Sequence, residues 1–313
     1  MTGQDIYGFT LFHVYFEGFK RDGIVEPDYL IAYNGKKAPG LDYLIQKGYR
    51  GKIFMDSGAF SAARKNTDID IDGYIAYVNQ VGDHLDAIAQ LDYIPRIQDG
   101  TPEQRQEKSS RLTWERFLYM WDRIRPELRR KLVYIVHAED AETLLTRALE
   151  WRDKDGNKIE FMALGLASGT AEWKAHQLSI ATRLFTKYNY TGRFHGLGLQ
   201  TLDLIKRCPF LTSCDSSSAI KDQMTGKIFI GGDQVKISDD TKVHHKSEMS
   251  DAHKQLLVPT LKARAEQMGI DFELAKTDAK ERYLWNCRER DDYIKKNFAN
   301  HTVIKRGNLI RRS

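Results

Sequence analysis

Short apolar runs alternate along this chain with longer stretches in which apolar residues recur every three or four positions. Eight runs read as strands: residues 9–16, 29–33, 53–56, 87–92, 132–137, 161–166, 194–199 and 210–215. They are continuously apolar rather than alternating, as expected of parallel strands covered on both faces. Between them lie helical spacings. Ile71, Tyr74, Ile75, Val78 and Val81 form one stripe, Trp114, Phe117, Leu118 and Trp121 a second, and Leu144, Leu145, Ala148 and Leu149 a third. Shorter helices are expected over 40–48 and 172–188. Eight strands alternating with helices predict an α/β fold, a (β/α)8 TIM barrel, with a doubly wound open sheet as the rival architecture. Residues 227–238, which contain Gly231-Gly232, predict a hairpin inserted after the last strand. Two C-terminal helices are expected over 251–268 and 278–300. Pro259 is expected to kink or split the first of them. The chain therefore divides into a barrel over 1–238 and a basic helical extension over 239–313 packed on the barrel.

Composition narrows the class. The 313 residues are 41% hydrophobic and 11% aromatic, a balance that supports a large core and argues against disorder. No apolar run approaches the roughly 20 residues needed to span a bilayer. The start of the chain lacks the basic, apolar and small-residue sequence of a secretion signal, so the expected location is cytoplasmic, without membrane attachment. Cys208, Cys214 and Cys287 are too few and too irregularly spaced for a disulfide framework, and Cys208 and Cys214 read as reduced core residues. A zinc site normally uses closer Cys/His pairs. The cluster His244, His245 and His253 with a distant Cys is the nearest alternative, and a polar His/Lys loop is the commoner origin of such a cluster. No cofactor is expected. The net charge is +5, and after Asp292 the chain holds no acidic residue while Lys295, Lys296, Lys305, Arg306, Arg311 and Arg312 follow. Such a tail suits phosphate contacts, although a solvated terminus would have the same composition.

Barrel enzymes build their sites from polar residues at the C-terminal ends of strands, and that rule selects candidates here. The third strand ends in Asp56-Ser57-Gly58, the fourth in Gln90-Leu91-Asp92, the fifth in His137, the sixth in Gly165-Leu166, the seventh in His195-Gly196-Leu197-Gly198 and the eighth in Asp215-Ser216. A single Asp followed by Ser is often only a helix cap. Three such aspartates, each closing an apolar run, point to a site. His137 and His195 are candidates for sugar or phosphate contact, with a structural role as the alternative. Gly196 and Gly198 would let a ligand approach closely, or would mark a bulge.

The motifs resemble a family. Asp56-Ser57-Gly58-Ala59-Phe60 is similar to the Asp-Ser-Gly-Gly-Phe/Tyr-Gln motif of the tRNA-guanine transglycosylases. The run from Asp86 to Asp92 resembles their next strand, which ends in a base-reading Asp. Gly196-Leu197-Gly198 and Ser213-Cys214-Asp215 resemble their late glycine-rich strand and the strand of their nucleophilic Asp. The likeness runs over residues 54–219. Departures accompany it: the Cys-x-Cys-x-x-Cys…His zinc module is missing, Gln-Gly-Gly is replaced by His137-Ala138-Glu139, and the motif Gln by Ser61. A member without zinc, with Asp-Ser-Ser at the nucleophile, is most similar to DpdA, the branch that inserts 7-deazaguanines into phage and bacterial DNA.

The resemblance implies a reaction. Asp215 would attack C1′ of a guanosine, Asp56 would serve as the acid/base partner, and Asp92 would accept hydrogen bonds from the base. Ser57, Gly58, Gly165, Leu166, His137, His195, Gly196 and Gly198 would line the pocket, with the Gly165–Leu166 backbone reading the carbonyl edge. Ser216, Lys221, Lys227, Lys295, Lys296, Lys305, Arg306, Arg311 and Arg312 would contact the nucleic acid. The expected partners are DNA, with tRNA as the alternative, and a free 7-deazaguanine base such as the 7-cyano form; a homodimer is left open. Three rival readings stand beside this one: a transglycosylase acting on RNA, a non-catalytic nucleic-acid-binding barrel, and a barrel hydrolase for a small sugar or nucleoside.

Overall fold

The computed structural model describes residues 9–15, 27–137, 140–199, 201–238 and 251–298. Eight strands, β1 (Thr10–Val14), β2 (Tyr29–Ala32), β3 (Ile53–Asp56), β4 (Ala87–Ala89), β5 (Leu132–His137), β6 (Phe161–Gly165), β7 (Arg193–Leu197) and β8 (Ser213–Ser216), close into a barrel in chain order. From β2 to β8 the pairing is parallel, and Thr10 N–H donates to Thr212 O at 3.0 Å where the barrel closes. The expected (β/α)8 architecture is therefore present. Continuous apolar strand sequences fill it: Phe54, Met55, Ile88, Val133, Met162, Ala163 and Phe194 are all fully buried.

The helices form where the apolar stripes place them. These are α1 (Leu41–Gln46), α2 (Ala59–Arg64), α3 (Ile71–Val81), α4 (Pro102–Arg123), α5 (Ala141–Glu150), α6 (Ala171–Lys187) and α7 (Leu202–Arg207). Asp70 starts α3 by accepting the N–H groups of Asp72 and Gly73. Thr101 and Gln104 cap α4 reciprocally, with Pro102 in the first helical position. The inner face of α4 buries Phe117, Met120 and Trp121, and Phe117 packs edge-on to Tyr134 of β5 and to Trp151. Removing the Phe117 ring would cost about 3–5 kcal/mol by the usual range for a filled core site.

Several strand boundaries differ from expectation, and the ends of the fourth, sixth, seventh and eighth strands move candidate residues. The fourth strand stops at Ala89, because Gln90 N–H bonds to Val133 O and the chain then turns, with Asp92 N–H donating to Gln90 O at 3.0 Å. Asp92 thus sits on a turn above the strand. Phe210 and Leu211 precede β8 in a turn closed by Leu211 N–H to Cys208 O, so the strand begins at Ser213 and runs through Asp215 to Ser216. The seventh begins one residue early, at Arg193. All three cysteines are free and buried.

Contacts divide the chain into two compact units. One holds the residues up to Phe12 and Asp28–Asp215, and the other holds His13–Pro27 and Ser216–Asn300. The division falls at Ser216, not at residue 238, because the hairpin belongs with the C-terminal helices. In the second unit are α8 (Ser218–Met224), β9 (Lys227–Ile230), β10 (Asp233–Lys236), α9 (Asp251–Gln267), α10 (Phe272–Thr277) and α11 (Ala279–Phe298). Ile230 pairs with Asp233 across Gly231-Gly232, whose φ values of 58° and 108° only glycine adopts without strain. The Asn286 amide of α11 acts as a third strand for β9, accepting from Phe229 N at 2.6 Å and donating to Lys227 O at 3.0 Å. Pro259 does not split α9, which runs unbroken past it. The ring removes one donor, at a cost of about 3 kcal/mol, and the turns on either side keep theirs. No helix among the described residues is long and apolar enough to cross a membrane.

Candidate active site

The third strand delivers Asp56 to the C-terminal rim and then turns sharply. Gly58 makes that turn at φ 75°, where an added Cβ would lie 2.0 Å from Tyr33 O, so the position admits only glycine. The backbone N–H groups of Ser57 and Gly58 fold back onto the Asp56 carboxylate. They do not offset its surroundings. Burial first, then the charges of Asp92 and Asp215, push Asp56 up to about 7. Three carboxylates on one rim repel each other, which favours the protonated form of Asp56.

Asp92 is 7% exposed. Ser57 Oγ donates to its Oδ1 at 3.3 Å and accepts from Ala59 N–H, which ties the start of α2 to this carboxylate. His137, at the end of β5, places Nε2 3.5 Å from Asp92 Oδ2 and 3.4 Å from Thr113 Oγ1. Arg116 donates to the Asp92 carbonyl at 3.1 Å. Burial raises the Asp92 carboxyl above its ordinary value, while His137, Ser57 and Arg116 pull it back only in part. Beneath the two aspartates the Tyr74 phenol donates to Ala89 O at 2.8 Å. Burial, with Asp56 and Asp92 nearby, keeps it well above the usual tyrosine range.

Asp215 is held differently. Gly198 N–H donates to its Oδ1 at 2.7 Å and His195 Nε2 reaches the same oxygen at 3.1 Å. A carboxylate only accepts, so Nε2 carries a proton. In the neutral ring Nδ1 then accepts from Ser213 Oγ–H at 2.8 Å. The His195–Ser213 contact follows from register, since these residues pair across β7 and β8. The ring is fully buried and lies edge-on to Phe54, which fixes its orientation. Gly198 has φ 66° and its missing Cβ would sit 2.8 Å from Ala167 Cα, so both its conformation and its space demand glycine.

The expected residues fare unequally. The barrel rim collects Asp56, Ser57, Gly58, Asp92, His137, Gly198 and Asp215, whereas His195, expected to contact a sugar or phosphate, is fully buried with both ring nitrogens bonded and supports Asp215 instead. Gly165 lies at the same end, with room for a Cβ that would meet only Val136 O at 3.6 Å. Leu166 is a correction: its N–H donates to Leu197 O at 2.9 Å and its side chain is fully buried, so that N–H does not read a base. Gly196 is a second, since a Cβ there would press on Leu199 and Leu211; it serves core packing. Ser216 is a third. It is only 3% exposed, and its Oγ accepts from Ser218 N–H at the start of α8, so burial keeps it from the surface a phosphate would reach.

Lys221, Lys295 and Lys296 are exposed and Lys227 is half-buried. Lys305, Arg306, Arg311 and Arg312, with Ala138, Glu139, His244 and His245, lie outside the described residues. Sequence reading passed over Thr113 and Arg116. They stand beside the Trp114–Phe117 stripe of α4, and polar residues flanking an apolar stripe at helical spacing were the available signal. Comparison with known family models gives no match for this chain, and comparison with curated proteins gives none.

Proposed function

We propose that the chain is a base-exchange transglycosylase that replaces guanine in DNA with a 7-deazaguanine base. The observation that carries this reading is the unequal treatment of two carboxylates on one rim. Asp215 is fixed by two donors on a single oxygen, while Asp56 is held near pH 7. A nucleophile needs to be charged and oriented, and an acid needs a proton to give at neutral pH; environments that separate two carboxylates supply both.

In the first half-reaction Asp215 Oδ2, the oxygen without those two bonds, attacks C1′. The C1′–N9 bond breaks, its electron pair stays with guanine, and the Asp56 proton passes to the departing purine. Positive charge growing at C1′ is met by the carboxylate, as in retaining glycoside cleavage. In the second half-reaction N9 of the incoming 7-deazaguanine attacks C1′. The aspartyl ester breaks, the N9 proton passes to Asp56, and Asp215 leaves as a carboxylate. Asp92, oriented by Ser57 and His137, accepts from N1–H and the exocyclic amine that guanine and its deaza analogues share. The choice of DNA over tRNA rests on the sequence, which lacks the zinc module of the tRNA enzymes.

Radiolabelled guanine supplied to the protein with DNA or with tRNA tests this directly. Label is expected to enter DNA, and a covalent protein–DNA adduct is expected on a denaturing gel. Asp215→Asn should abolish both, with exchange falling on the order of 10⁴-fold or more, as for other nucleophile removals. Full exchange in that variant would sink the mechanism, and label in tRNA alone would reassign the substrate.

A further inference from the structure

The loop after β4 carries a feature that the reaction itself does not use. Ile97 is 85% exposed, while its chain neighbours on both sides are engaged. Arg96 Nη2 donates to Thr67 O at 2.7 Å and to Asp68 Oδ1 at 2.6 Å, and Gln98 Nε2 donates to Asn66 Oδ1 at 3.3 Å. Both reach the same loop, the one that follows Asp56 and α2. Asp99 locks the Ile97 loop from within, accepting from Tyr93 OH at 2.7 Å, Arg96 N at 2.8 Å and Lys108 Nζ at 2.5 Å. Those three donors bring the Asp99 carboxyl down to about 2, so the lock stays charged at any working pH.

A single exposed aliphatic residue needs no special cause. An aliphatic residue presented on a doubly braced loop is another matter, because bracing removes the freedom to fold it onto the surface. The two joined loops rise from the strand ends that carry Asp56 and Asp92, so Ile97 stands on the face where C1′ must be reached. Ile is also stiff at χ1, which suits a fixed wedge. Exposed Arg64 and Lys65 end α2 beside the partner loop, where Asp68 is paired to Arg96 and Asp70 caps α3.

We infer that Ile97 is a wedge that enters the base stack of duplex DNA and fills the gap left by the flipped guanine; this rests on the proposed base exchange. C1′ of a stacked nucleotide is shielded, flipping costs a few kcal/mol, and apolar side chains inserted between bases are a recurrent way to offset it. The wedge acts on duplex substrate and has nothing to do on a single strand, where no stack is opened.

The test compares exchange on one oligonucleotide, single-stranded and annealed, by the full-length chain and by Ile97→Ser and Ile97→Leu. Ile97→Ser should lower kcat/KM on the duplex by about tenfold or more, while single-strand exchange stays unchanged and Ile97→Leu keeps most of the duplex rate. A 2-aminopurine next to the target guanine should brighten on binding to the wild type and less with Ile97→Ser. The site is at the surface, so the fold withstands the change. Equal losses on both substrates, no loss on duplex, or wild-type exchange confined to single strands would each overturn the wedge while leaving base exchange standing. Absence of exchange on every DNA would remove the base-exchange reading and the wedge with it.

Discussion

The barrel rim and the C-terminal unit both withdraw carboxylates from water, and they surround them differently. On the rim the charges of Asp56, Asp92 and Asp215 act on one another, and among the described residues the side chains within ion-pair distance of them are the imidazoles of His137 and His195. In the C-terminal unit several carboxylates have a cation instead. Asp222 pairs with Arg290 at 2.6 Å, Arg264 joins Glu289 at 2.6 Å and Asp292 at 2.5 Å, and Asp291 meets the buried His13 at 3.0 Å. Burial alone would lower the His13 imidazole, yet Cys287 and Asp291 beside it carry it up to about 10. Paired charges join this unit's α11 to α8 and to α9. Like charges crowded on the rim instead help to push Asp56 up to about 7. Charge burial by itself therefore marks neither function nor stability; the sign of the neighbours separates them.

The comparison breaks most sharply at Arg290. Arg290→Ala strands Asp222, only 4% exposed, with the Gln234 amide at 2.9 Å left beside its carboxylate. Unfolding in urea should show a loss of about 3–5 kcal/mol, the usual cost of leaving one member of a buried pair alone. A loss below about 1 kcal/mol would mean that pairing is not what holds this unit.

Gly198→Ala probes the rim without touching a charge. The new Cβ meets Ala167 and the left-handed backbone becomes strained, so the N–H moves off Asp215. Base exchange should fall roughly 10²-fold, comparable to losing one preorganised donor, with binding of DNA retained. Single-turnover rates against DNA affinity separate the two, and a parallel loss of both would contradict a role confined to Asp215.

Asp56→Asn gives the smallest and most diagnostic effect on stability. The folded group sits near 7 against 3.8 in an unfolded chain. Its contribution is thus complete below pH 3.8 and disappears as pH rises through about 7, because ionisation is then favoured in the unfolded chain first. The variant should exceed wild type in stability by roughly 1–3 kcal/mol at pH 8 and by little at pH 4. Chemical denaturation at the two pH values checks this, and a difference that does not change with pH would remove the basis for the acid role. Arg290→Ala and Asp56→Asn are expected to move stability in opposite directions.

Local pattern was enough for the fold and for the address of the site. Continuous apolar runs, helical stripes, and a Gly-Gly pair between β9 and β10 specify elements through contacts within a few residues, and strand-end aspartates follow from the barrel rule. Caps and glycines were harder to read. Gly196 and Gly198 look alike in sequence, yet one yields to Leu199 and Leu211 and the other turns an N–H onto Asp215. Leu166 and Ser216 sit where ligand contacts were expected, and backbone bonding to Leu197 and Ser218 engages them instead.

What the sequence determined alone was which residue types arrive at the open end of which strand. Only the tertiary structure decided which of those carboxylates keeps its proton, which is fixed by donors, and which side chains of α4 reach Asp92. Strand and turn formation depend on neighbours along the chain. Protonation and orientation depend on groups such as Asp56, Asp92 and Asp215, far apart in sequence and brought within electrostatic reach only when the barrel closes.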